Sequence, residues 1–134
     1  MKVVIDTNVM VSGVFFGGTP GRILSGWRDR NLTLVVSPPI LEEYHRVGRV
    51  LAIEYPEARL TPFLALVAVH AEVVATPALP TQVCDDPDDD KFLACALAGG
   101  ARIVISGDKA LRRVSGWQGI EVLSPRAFVG RFLE

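Results

Sequence analysis

The stretch Lys2–Ser12, KVVIDTNVMVS, decides how the rest of the chain is read. Val3, Val4 and Ile5 are apolar and β-branched on successive residues. That is the pattern of a strand buried on both faces, as in a parallel sheet, and not of a half-buried strand with alternating faces. Asp6 follows where this strand stops. It either caps a helix beginning at Thr7 or Asn8, or it offers its carboxylate to a ligand. The remainder of the sequence has to choose between the two.

Outward from that stretch, strand signals alternate with helix signals. Lys2–Ile5 is a strand, and the helix after it runs through Val14. FFGGTPG (Phe15–Gly21) reads as a loop, with Thr19 as N-cap and Pro20 at the first helical position. A helix from about Gly21 to Arg28 precedes a second strand, LTLVVS (Leu32–Ser37). Ser37-Pro38 opens a helix reaching about Leu51. Tyr55–His70 reads as mostly helical, with Leu60, Phe63, Leu64 and Val67 on one face, and AEVVAT (Ala71–Thr76) as a third strand.

The three prolines of Thr76–Pro87 make that segment an extended loop within a domain. DDDKFLACALAGG then has an acidic helix start near Asp88 and a Gly-Gly stop, and Phe92, Leu93, Ala96 and Leu97 are expected to face the core. ARIVIS (Ala101–Ser106) is a fourth strand, followed by a short helix from Asp108. IEVLS (Ile120–Ser124) is a fifth strand, and Ser124-Pro125 caps a last helix. Strands separated by helices imply right-handed crossovers. The expected fold is therefore a three-layer α/β/α sandwich, one domain over residues 1–134, around a parallel sheet of four to five strands. Ligands of such sheets bind beyond the carboxyl ends of the strands, where Asp6 and Asp108 fall.

Composition bounds the possibilities. The chain has 134 residues, 49% apolar and 22% charged, and a formal net charge of −1. A chain of this size can bury a core of its own. No global basic field points to a nucleic-acid partner, although a local patch with bound cations can still attract a phosphate chain. Cys84 and Cys95 form no C-x-x-C pair, and two cysteines make a poor disulfide framework, so a reduced, cytoplasmic setting is expected. No secretory leader is read at the N-terminus, and no apolar run reaches the ~20 residues of a membrane span.

Four acids fall where this architecture can bring them together. Asp6 ends the first strand, Glu43 lies on the helix after the second, Asp90 opens the DKFLACALA helix and Asp108 follows the fourth strand. Carboxylates crowded at one sheet edge repel, and at least one pKa rises unless a cation joins them. A hard divalent ion with oxygen ligands resolves the repulsion and can acidify a bound water. Singly, each acid has an ordinary explanation: Asp6 and Asp108 as caps, Glu43 as a surface residue, DDPDDD as a solvated run favoured by a helix dipole. It is the joint pattern that argues for a site.

The segments VVIDTNVMVSGVF, VVSPPILEEYHRVGRVL, DDPDDDKFLACALAGGARIVISGDKAL and IEVLSPRAFV, in this order, resemble the PIN-domain nucleases. They are most similar to the short bacterial or archaeal type described as toxins of toxin–antitoxin pairs. The resemblance implies an α/β/α sandwich, Mg²⁺- or Mn²⁺-dependent hydrolysis of phosphodiester bonds (one or two ions), usually in RNA, an antitoxin partner and often a homodimer. It implies Asp6, Glu43, Asp90 and Asp108 as catalytic, metal-holding acids. Asn8 and Ser106 match polar positions that orient the acids or their waters. Glu42 neighbours Glu43, which aligns better within LEEYHRV. Asp86 and Asp89 compete with Asp90, which DKFLACA favours, and Asp86 can join the site.

Arg46, one turn after Glu43, and Lys109, beside Asp108, can touch substrate phosphate or form salt bridges. His45 and His70 lack a metal-ligand partner, and Trp27 and Trp117 read as packing residues. A haloacid-dehalogenase-like phosphatase also starts with a strand-end Asp, but that chemistry wants a second acid two residues on, where this chain has Asn8. A PIN-fold binding module without activity is the non-enzymatic alternative, and the presence of all four acids argues against it.

Overall fold

A computed structural model describes residues 1–56 and 59–133. Its elements in chain order are β1 (Lys2–Ile5), α1 (Thr7–Phe16), α2 (Gly18–Arg28), β2 (Thr33–Val36), α3 (Pro38–Glu54), α4 (Leu60–His70) and β3 (Glu72–Val73). A 3₁₀ turn (Pro87–Asp89) then leads into α5 (Asp90–Gly99), β4 (Ile103–Ile105), α6 (Lys109–Arg112), β5 (Glu121–Leu123) and α7 (Pro125–Phe132). The five strands form one sheet in the order β3-β2-β1-β4-β5, with every neighbouring pair parallel.

The doubly buried reading of the first strand holds. Val3, Val4, Ile5, Leu34, Val35, Val36, Val104 and Ile105 are all fully shielded from solvent. Burial of that kind requires helices on both faces of the sheet. The strand order supplies them: the chain winds outward from β1 through β2 to β3, then returns to the other side of β1 for β4 and β5. Right-handed crossovers wound in opposite directions place their helices on opposite faces. α5 spans the centre, packing on β1, β2 and β4. Winding reverses between β1 and β4, so the crevice of the sheet opens at the carboxyl ends of those two strands.

Some boundaries differ from expectation. The loop Phe15–Gly21 contracts to Gly17, because α1 continues to Phe16 and α2 starts at Gly18. Gly17 has φ +72°, a conformation favoured by glycine, and it stands as the N-cap in place of Thr19. Pro20 is then the third helical residue, still within the first turn where proline is tolerated. The third strand shrinks to Glu72–Val73, at the sheet edge, where one side has no partner strand. The expected helix Tyr55–His70 begins at Leu60, and its residues 57 and 58 lie outside the described residues. Leu97, expected in the core, is half exposed. None of the described helices is long and apolar enough to cross a membrane.

Candidate active site

Asp6 sits at the reversal point, one residue beyond β1. Its backbone N–H extends the sheet by donating to the Ile105 carbonyl at 2.9 Å, and its side chain is almost fully buried. Ser106, the residue beyond β4, is itself held by a bond from its N–H to the Leu123 carbonyl at 2.9 Å. The Ser106 hydroxyl donates to Asp6 Oδ2 at 2.5 Å and accepts from the Asp108 N–H at 3.0 Å. A backbone amide thus polarises a hydroxyl that polarises a carboxylate. Burial raises the Asp6 carboxyl above its ordinary range; the Ser106 hydroxyl and the Asn8 backbone N–H oppose this, and the charges of Glu43 and Asp108 add to it. Asn8 contributes its backbone, while its side chain is exposed.

Glu43 reaches the same place from α3. Its neighbour Tyr44 is completely buried and donates its hydroxyl to the Ile5 carbonyl, pinning α3 to the end of β1. Glu43 Oε1 accepts from the Thr7 hydroxyl and Oε2 from the Lys91 ammonium, with Arg46 Nη2 at 3.6 Å from Oε2. Lys91 also pairs with Asp88 at 3.0 Å. Arg46 is therefore an ion-pair partner of Glu43, one of the two roles open to it from the sequence. Lys109 is exposed on the first turn of α6.

The DDPDDD run separates into distinct roles. Asp86 accepts from the Asp88 N–H at 2.9 Å and caps the 3₁₀ turn. Asp90 accepts from the Val83 N–H at 3.1 Å and the Cys84 N–H at 2.8 Å, so both its oxygens hold the incoming loop. Asp89 lies within reach of the charges of other acids. Its carboxyl is pushed up to about 6, first by burial and then by the charges of Asp6, Asp86 and Asp108. Position 89 lines up with the buried Phe92 and Ala96, and Asp90 with the fully buried Leu93 and the half-exposed Leu97, so the two acids leave the helix start on adjacent faces.

Asp108 caps α6, accepting from the Ala110 N–H at 2.8 Å through Oδ1. Asp89 lies within the charge of Asp6 and Asp108, and Asp6 within that of Glu43 and Asp108; all offer hard oxygen donors, the ligand type Mg²⁺ and Mn²⁺ favour. Among the described residues no three acids, histidines or cysteines stand close enough together to form a ready-made ligand set. The fit to a divalent ion is one of donor type and charge, and it suits an ion completing its shell with waters and substrate oxygens.

Two grooves are lined by chain neighbours of these acids, though not by Asp6, Glu43, Asp89 or Asp108 themselves. One, of about 440 Å³, is lined in part by Pro39, Asp88, Asp90 and Lys91. The other, of about 480 Å³, is lined by Asn8, Ser12, Arg46, Val47 and Val50 among others. A larger cavity of about 640 Å³, bounded by residues such as Gly17, Arg28 and Phe63, touches none of these acids. Its size alone does not make it the reactive site, because it lacks clustered acids. The sequence reading missed Thr7, Tyr44 and Lys91. Thr7 carried a signal in its position beside Asp6, and Lys91 in being the basic residue nearest the acidic run.

An α/β domain with acids gathered where the winding of its parallel sheet reverses is the class that this geometry defines. A family model of the PIN domain matches residues 2–110, and the chain belongs to the PIN-domain family. The uncharacterized protein MJ1680 of Methanocaldococcus jannaschii is 34% identical over 118 residues, covering 83% of this chain and 73% of that protein. Among solved structures, VapBC2 from Rickettsia felis, bound to a DNA fragment from its promoter, contains a chain of similar fold. The TM-score is 0.59 at 15% identity, over 92% of this chain and 98% of that one.

Proposed function

We propose that the chain is a divalent-metal-dependent endoribonuclease cutting single-stranded or exposed loop RNA. The observation that carries this reading is the chain of contacts at the reversal point of the sheet, where the Ser106 hydroxyl joins the Asp6 carboxylate to the Asp108 N–H, with Asp89 within the charge of both acids. Asp6, Asp89 and Asp108 would hold the ion, with Glu43 beside them. We assign Asp89 in place of Asp90 because the Asp90 carboxylate accepts from the Val83 and Cys84 amides. A bound Mg²⁺ or Mn²⁺ supplies neutralising charge and a water acidified toward hydroxide. The Ser106 hydroxyl favours the charged form of the buried Asp6 and would orient one of its oxygens. Grooves lined by Asn8 and Arg46 and by Asp88 and Lys91 would give an extended polymer a place to lie, with the exposed Arg46 near its phosphates.

The likeness in fold to a chain of the Rickettsia felis complex supports work as the toxin of a toxin–antitoxin pair, opposed by an antitoxin protein. Exposed Leu66 and Val69 on α4 and Val73 on the edge strand offer an apolar surface for a homodimer. The free, buried thiols of Cys84 and Cys95 accord with a cytoplasmic setting.

Labelled single-stranded RNA, incubated with the protein in Mn²⁺ or in chelator, tests the reading beside a phosphate-ester chromogen. Internal cleavage in Mn²⁺ alone, with the chromogen untouched, is expected. Phosphate release without RNA cleavage would favour a phosphatase, and RNA binding without cleavage a non-catalytic module.

A further inference from the structure

We propose that the Lys91 ammonium stands in for a second divalent cation, so that the cleft takes one ion and not two. This rests on the metal-dependent reading above. The two sides of the acid cluster are treated differently by the protein itself. On one side, both oxygens of Glu43 are engaged, Oε1 by the Thr7 hydroxyl and Oε2 by Lys91. The ammonium and the carboxylate are each largely shielded, at 14% and 13% side-chain exposure. A shielded charge pair of this kind persists only where partners satisfy it, and Asp88 at 3.0 Å supplies Lys91 with another acceptor. On the other side the acids meet neutral donors: Asp6 accepts from the Ser106 hydroxyl and Asp108 from the Ala110 N–H.

Two-metal sites set their ions about 3.5–4 Å apart, bridged or flanked by carboxylates. Glu43 is the remaining acid of the cleft, and Lys91 occupies its Oε2, with Arg46 Nη2 at 3.6 Å from the same oxygen. With Lys91 in place the Glu43 side is already neutralised, and one dication balances most of the charge on Asp6, Asp89 and Asp108. Lysine suits such a role, being a compact point charge on a flexible stem.

The test is the stoichiometry of Mn²⁺ binding to the intact chain, by isothermal titration calorimetry and by the spin-resonance signal of free Mn²⁺, with folding checked by circular dichroism. Wild type should bind one ion per chain, and the binding should be lost in Asp6→Asn. Lys91→Gln leaves Glu43 Oε2 only the exposed Arg46 at 3.6 Å and should bind two; Lys91→Arg keeps the shielded cation and should bind one. Lys91→Gln combined with Glu43→Gln should return to one. Two ions in wild type, one in a folded Lys91→Gln protein, or two in the double variant would each overturn the proposal. Should Lys91→Gln fail to fold, the wild-type and Lys91→Arg counts still decide it. A wild type that binds no Mn²⁺ through Asp6 would instead overturn the metal-dependent reading itself.

Discussion

Ser106 and Asp6 stand on adjacent central strands, each one residue past the strand end, and a 2.5 Å hydrogen bond joins the serine hydroxyl to the aspartate carboxylate. The bond favours the charged form of a carboxyl that burial would otherwise neutralise. Removing it in Ser106→Ala should push the Asp6 pKa further up, so that less of it is ionised at any given pH. Carbon-detected NMR titration of the side-chain carboxyls in metal-free protein should show a higher Asp6 midpoint in the variant. An unchanged or lower midpoint would separate Ser106 from Asp6.

Asp89 gives a dependence of stability on pH. Its folded pKa of about 6 lies above the ordinary value of 3.8, so its protonated form favours the folded state. That contribution is full below about 3.8 and is lost as pH rises through about 6. In chelator at pH 7.5, Asp89→Asn should therefore melt higher than wild type, by on the order of 3 °C. At pH 3.5 the advantage should vanish. Thermal melts followed by circular dichroism check this, and an equal shift at both pH values would contradict it.

Asp90 has a different task, and its loss should show in stability. Asp90→Ala strips acceptors from the Val83 and Cys84 amides, and should cost about 2 kcal/mol in urea unfolding. The folded fraction should keep Mn²⁺-dependent cleavage, which Asp89→Asn should lose. The opposite assignment, with Asp90→Ala stable and inactive, would restore Asp90 to the site.

Gly99 tests the seat of α5 on the sheet. A Cβ there would lie 2.5 Å from Val35 Cγ1, inside the buried face of β2, whereas a Cβ at Gly130 in α7 would meet nothing within 4 Å. Gly99→Ala should destabilise by about 1–3 kcal/mol. Gly130→Ala should be neutral or slightly stabilising through helix propensity. Similar unfolding midpoints for the two variants would contradict this packing.

Legibility from sequence followed how strongly each position is constrained locally. Runs such as Val3-Val4-Ile5 and Ile103-Val104-Ile105 can be little else than doubly buried strands, so the sheet and the placing of Asp6, Ser106 and Asp108 at strand ends were readable. Glu43 was readable because α3 starts cleanly at Pro38. The choice between Asp89 and Asp90 was not. The helix start DKFLACA favours Asp90, while the Val83 and Cys84 amides that engage its carboxylate come from a loop whose path only packing fixes. Lys91 pairing with Glu43 joins residues on different helices and is fixed only by packing. Edge strand β3 faded for a related reason, because a strand with one neighbour needs little of the run suggested by AEVVAT.

The central claim is that Asp6, Asp89 and Asp108 form the seat of a divalent ion. Anomalous diffraction at the manganese edge from crystals grown with Mn²⁺ tests it most directly. A peak should bond to Asp6 and to Asp89 or Asp108 at roughly 2.1 Å, with Asp90 still turned to the Val83 and Cys84 amides. A peak seated on Asp90, or one away from Asp6, would contradict the account.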